Sequence, residues 1–242
     1  MDRTPLRIHR IAIFFLLLSI SQLLSAQSAF HVFPQIADGR FPDGSAYRST
    51  VMILPSFEGD APQCTLTLYG TSVAFPGGGS ASSFAISVPA GQAAVMQTTG
   101  AQSYQGGYGT LSCSTNVTAS VLYTFYAASG AKVGEATVFS SSQSVKYRLI
   151  ADHREGARLG IAIANNTDSQ QGYLITYVAG GSTLSNSVTV PARRAVARFL
   201  DEIVSVPAAS VGVVTITSPT LSNFSVIGLR FTGGVFTTIP PG

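Results

Sequence analysis

The 242-residue chain has no tryptophan, three methionines, three histidines and two cysteines, and only 10% of its residues are charged. Each shortage removes a class of function. Globular proteins carry roughly 25% charged residues, so this chain has few groups from which to build a strongly basic or acidic face. A formal net charge of +3 is too small and too scattered for a surface that follows a phosphate backbone, and no nucleic-acid partner is expected. Two cysteines and a few dispersed histidines make a poor zinc ligand set. No GxSxG elbow, HExxH helix or phosphate-binding loop occurs, and no cofactor is expected. Without tryptophan, a sugar-binding platform would have to be built from tyrosine.

The amino terminus supplies the first positive signal. Arg3, Arg7 and Arg10 precede an apolar run over residues 11–18 that continues with little polarity to Leu24. This reads as a secretory signal peptide over 1–26, with Ser25 and Ala26 as small residues at the cleavage point and Gln27 as the first mature residue. The run is shorter than the roughly 20 residues of a spanning helix, no later segment qualifies as transmembrane, and no cysteine follows it to carry a lipid. The leader holds much of the positive charge, and the remainder is nearly neutral. The expected location is exported: periplasmic, cell-surface or extracellular.

After the leader the chain states one pattern twice. Ile36-Ala37-Asp38 matches Ile150-Ala151-Asp152, residues 45–56 match 156–167, and 65–70 match 174–179. Val88-Pro89-Ala90 matches Val190-Pro191-Ala192, 108–126 match 211–231 with a two-residue gap, and 134–139 match 234–240. Within the blocks apolar residues recur every second position: Leu159, Ile161 and Ile163 alternate with Gly160, Ala162 and Ala164. That is the period of a strand. Turn residues at Pro55-Ser56, Gly70-Thr71, 76–79, Gly130, Asn165-Asn166 and Gly180-Gly181 punctuate the strands. The expected fold is all-β: two tandem antiparallel β-sandwich units, 27–142 and 143–242, joined by the polar stretch 140–146. Residues 200–203 can hold at most a short helical turn. Cys64 and Cys113 both lie in the first unit, in strand-like runs of a chain bound for an oxidising compartment, and a disulfide between them is expected, with both thiols facing a core.

The second unit, with GIAIANNT, VPARRAVARFLDEI and LRFTGGVFTTIP, resembles a recurrent Ig-like β-sandwich repeat of exported bacterial proteins, and HVFPQIADG followed by YRSTVMIL resembles the first unit of the same tandem. The resemblance covers nearly the whole mature chain. It implies an Ig-like fold and export, and transfers no catalytic or ligand residue. AIANNT lacks the proline expected after AIAN, which affects a turn only.

Several clusters bear on chemistry. His153 and Asp152 sit in a polar turn, and a hydrolase between the two sandwiches would need them to converge with a serine hydroxyl. Asp38 and Asp43 flank a glycine-containing loop that could hold calcium, although the spacing fits no EF-hand. Tyr104 and Tyr108, in QSYQGGYG, are candidate exposed aromatics for sugar binding, because the glycines suggest an open loop. Tyr123, Phe125 and Tyr126 read as core filling. Arg193, Arg194 and Arg198 form the densest basic cluster and read as charge protection of a strand edge. Asn116, Asn165 and Asn223 begin glycosylation-like triplets that read as accidental. The expectation is a non-catalytic interaction or structural module of the bacterial envelope, its partner another envelope or extracellular protein, with polysaccharide binding as the second reading.

Overall fold

The computed structural model describes residues 28–242; the leader expected over 1–26 lies outside them. The described chain is all-β. Its strands are β1 (Ser28–Arg40), β2 (Ala46–Pro55), β3 (Gln63–Tyr69), β4 (Ser83–Ser87), β5 (Ala94–Gln97), β6 (Gln105–Tyr126), β7 (Lys132–Phe139), β8 (Lys146–Asp152), β9 (Arg158–Asn165), β10 (Gln171–Ala179), β11 (Ser182–Val190), β12 (Arg194–Phe199), β13 (Val211–Thr217), β14 (Ser225–Thr232) and β15 (Val235–Ile239). Two 3-10 turns, Arg154–Gly156 and Leu200–Glu202, interrupt them, the second at the place expected for a helical turn.

All named strand pairs are antiparallel. Strands β8–β15 form two four-stranded sheets, ordered β11-β10-β13-β8 and β12-β9-β14-β15. Strands β1–β7 repeat that order. The layer β4-β3-β6-β1 corresponds to the first sheet, and β5-β2-β6-β7 to the second, with the long β6 standing for both β13 and β14. Its first part pairs with β1 and β3, and its last part with β2 and β7. The second half divides this strand at Ser218-Pro219, where proline cannot donate to a ladder and Leu221 takes a φ of 56°. Ser114, Thr115 and Asn116 at the matching point let β6 continue.

The alternation expected from the sequence sorts side chains between two environments. Leu159, Ile161 and Ile163 of β9 enter the core of the second half with Tyr173, Ile175 and Phe224. The small face of β9 is also covered. Ala162 joins the core of the first half, as do Ile227, Leu229 and Phe236, and Ala164 packs with Val32 and Tyr108. Small residues on this face let another layer approach closely. Polar ties cross the same junction: the Thr238 hydroxyl donates to the Thr137 carbonyl, and Ser141 of the connecting stretch donates its N–H to the Val32 carbonyl while its hydroxyl oxygen accepts from Val226 N–H. The β1 strand is therefore buried on both faces from His31 to Gly39, with an irregularity around Pro34.

Cys64 and Cys113 are bonded and stand directly opposite one another on β3 and β6. Cys64 faces the core, whereas Cys113 is only half-buried, because β6 turns between its two layers just beyond it.

Candidate functional site

A cleft of about 310 Å³ opens where the two halves meet. The first half contributes Gln35 of β1, Tyr47 of β2, Tyr123 of β6 and Tyr104, which immediately precedes β6. The second half contributes Gly160 to Ala162 of β9, Ala197 to Phe199 of β12, Glu202, and Ile227, Leu229 and Phe231 of β14. The hollow has a local cause. Ala197 pairs with Ala162 and Phe199 with Gly160, so small side chains face the tyrosines, and any larger residue at Gly160 would press on the Phe231 ring, 3.0 Å from an added Cβ.

The aromatic wall is packed against itself. Tyr47 stacks on Tyr123 with ring centroids 4.4 Å apart, Tyr104 stacks on Phe41 at 4.5 Å, and Phe199 meets Phe231 edge to face at 5.2 Å. The Arg158 guanidinium lies 3.7 Å from the Phe199 ring centre and is held there by Asp201 and Glu202. Burial pushes the Tyr47 hydroxyl up to about 12 and raises those of Tyr104 and Tyr123 as well. All three remain protonated donors at neutral pH. Glu202 is committed to Arg158 and to the Phe199 N–H, while Arg198 lies exposed on the edge strand β12.

Of the two tyrosines expected to share a sugar-binding loop, Tyr104 lines this cleft, 38% exposed. Tyr108 does not: it is fully buried in β6, stacked on Tyr69 at 4.6 Å, with its hydroxyl donating to Asn166 Oδ1. The glycines beside it mark close packing, since a Cβ at Gly109 would lie 2.6 Å from Ile36 Cδ1. Tyr123 is core filling, as expected, and also forms cleft wall.

Asp38 and Asp43 are engaged in separate hydrogen bonds. Asp38 ends up buried in β1, its Oδ1 accepting from Gly100 N–H, and desolvation raises its carboxyl above the usual range. Asp43 is spent on the Ser45 N–H and hydroxyl. Among the described residues no three His, Cys, Asp or Glu side chains gather as a metal site.

Asp152, His153 and a serine hydroxyl do not converge on a reaction centre. Asp152 is bound by Arg154 and approached by Arg230, which hold its carboxyl well below the usual range. His153, expected in a solvated turn, is buried beside Tyr177, and the nearby Ser210 hydroxyl bonds the Pro207 carbonyl and the Tyr177 hydroxyl instead. Arg193 is tied to Asp168 and Asn166, and Arg194 packs over Gly70. Asn165 is buried and donates to the Ser169, Val190 and Pro191 carbonyls, so its triplet is structural.

No family model, curated protein or solved structure matches the chain. The cleft residues Gln35, Tyr47, Phe199 and Phe231 were missed by sequence reasoning. The signal available was small Gly160, Ala162 and Ala197 in strands of one unit against a tyrosine-rich partner unit.

Proposed function

We propose that this chain is an exported, non-catalytic interaction module of the bacterial envelope. It is built as two tandem sandwiches, Ig-like in having packed antiparallel sheets, and the cleft between them receives an apolar side chain of a partner protein. The observation that carries the reading is the cleft itself: an apolar floor of Ala162, Ile227 and Leu229 rimmed by tyrosines and Arg198. Binding pockets favour junctions and a few placed polar groups, and tyrosine and arginine are the residues on which interface energy concentrates. The Cys64–Cys113 bridge suits an oxidising compartment, and no described helix is long and apolar enough to cross a membrane.

Polysaccharide binding is the second reading, supported by Tyr104 and the polar Gln35. It ranks lower because sugar stacking needs an exposed ring face, and of the aromatic rings lining the cleft Tyr104 is exposed while Tyr47, Tyr123, Phe199 and Phe231 are buried or half-buried.

The test is a comparison of the folded mature chain with an Ala197→Trp variant, which fills the cleft from the exposed strand β12. Both are passed over envelope proteins and over insoluble glycans. A protein retained by the native chain and released by the variant supports the reading; retention on glycan alone, lost in the variant, replaces it with the second; binding that ignores the substitution removes the cleft from either.

A further inference from the structure

Edge strands expose unpaired N–H and C=O groups, and proteins guard them with charge, proline, short length or a cover. The β12 strand carries Arg194 and Arg198, and β7 carries Lys132 and Glu135. The β4, β5 and β15 strands span five, four and five residues. The edge of β8 is covered, because Arg148 and Gly242 exchange backbone hydrogen bonds.

The β11 strand has none of these devices. It runs nine residues, Ser182–Val190, with no charged residue and no proline, and pairs on one side only, with β10. Its side chains are exposed at Ser182, Thr183, Ser185, Asn186, Ser187 and Thr189. The two-residue turn at Gly180-Gly181 places Ser182 opposite Ala179, so the even-numbered residues bond β10 and the odd-numbered ones turn N–H and C=O outward. Ser187 N–H accordingly finds only the Asn186 side-chain oxygen, at 2.8 Å.

The sequence of this strand is nearly symmetric about Asn186. An antiparallel pairing of β11 with the same strand of a second copy, centred on Asn186, sets Thr183 against Thr189, Ser185 against Ser187 and Leu184 against Val188. Hydroxyl faces hydroxyl on the outer face, a favourable cross-strand pair; on the inner one Leu184 faces Val188, and Asn186, whose amide donates to the Ile203 carbonyl, meets its own copy on the two-fold axis. The outward-turned residues then fall in hydrogen-bonded register. The same operation on β12 would bring Arg194 opposite Arg198, like charge on like. A self-complementary patch is what a two-fold interface requires.

We propose that β11 is a homodimer edge: a second copy of this chain adds its own β11 antiparallel, joining the two β11-β10-β13-β8 sheets into one continuous sheet. This surface is separate from the cleft, and the proposal does not depend on the cleft's occupant.

The test is light scattering of the folded mature chain over a concentration series, with three variants. The native chain should pass from monomer to dimer as concentration rises. Ser187→Pro removes an outward N–H while leaving the ladder to β10 intact, and should stay monomeric with an unchanged circular dichroism spectrum. Ser185→Lys brings like charges together near the two-fold axis and should also be monomeric, which keeps the test decisive if the proline variant misfolds. Asn186→Cys should oxidise to a disulfide-linked dimer. Ala197→Trp should dimerise like the native chain, which separates failure of this proposal from failure of the cleft reading. A native chain that is monomeric throughout, or a dimer that survives Ser187→Pro and Ser185→Lys, overturns the assignment.

Discussion

The Tyr108 hydroxyl donates a 2.9 Å hydrogen bond to Asn166 Oδ1 across the junction of the two halves, and the same oxygen accepts from the Arg193 guanidinium at 2.7 Å. One amide oxygen thus ties β6 of the first half to the turn after β9 and the turn before β12. Tyr108→Phe leaves Asn166 with its arginine and should cost about 1 kcal/mol, whereas Asn166→Ala strands two donors and should cost about 1–3 kcal/mol. Urea unfolding of both single variants and the double variant checks this; equal losses in the two single variants would mean that Arg193 finds another acceptor.

The Cys64–Cys113 bridge closes a sequence separation of 49 residues. Replacing both cysteines by alanine should lower the stability of the first half by about 4 kcal/mol, on the chain-entropy account. Under denaturing conditions without reductant, a protease digest should yield both cysteines in one cross-linked peptide. Free thiols at both positions would refute the pairing.

Both described histidines are buried, and burial lowers the affinity of each for a proton below the ordinary value of 6.5. Asp201 and Asp152 pull His153 the other way without prevailing. The unfolded chain therefore binds more protons than the folded one in the range below 6.5. The histidine contribution to stability is complete above that pH and is lost as pH falls through the lowered folded values. Urea midpoints should fall between about pH 7 and pH 5, and His153→Phe should flatten the fall. An identical slope in that variant would assign the acid sensitivity elsewhere.

Asp38 behaves in the opposite sense. Its Oδ1 accepts from Gly100 N–H, while Oδ2 is buried without a partner, and desolvation raises its folded pKa above 3.8 despite Arg48. Stability linked to this group is present below the unfolded value and is lost as pH rises through the folded one. Asp38→Asn keeps the acceptor and removes the buried charge. It should raise the melting temperature at neutral pH, with the gain fading towards pH 4 as the native carboxyl protonates. A variant less stable than the native chain at pH 7 would show that the Coulomb attraction of Arg48 outweighs desolvation.

Much of the strand framework was legible because period-two alternation and turn residues are local signals, and the repeated strand order followed from matching blocks. The Cys64–Cys113 pair was legible from the strand-like runs around both cysteines and the oxidising compartment expected for the chain. Tyr108 was misread because a Gly-Gly-Tyr stretch has the composition of an open loop, whereas its glycines allow the backbone and side chains of β1 and β3 to press close. The burial of Ala162 and Ala164 was invisible for a related reason: small residues opposite a large-residue face do not announce that another layer lies on them. The cleft was hidden with it, since it exists only where Gly160, Ala162 and Ala197 meet Tyr47 and Tyr104 from far earlier in the chain.

The 22-residue β6 strand has a mechanical consequence. Because one uninterrupted strand belongs to both layers of the first half, neither layer can peel away without tearing the other. In the second half the corresponding path is cut at Pro219, and its sheets are tied by a turn. The first half should behave as a single clasp under load, and the second as two leaves that open in turn.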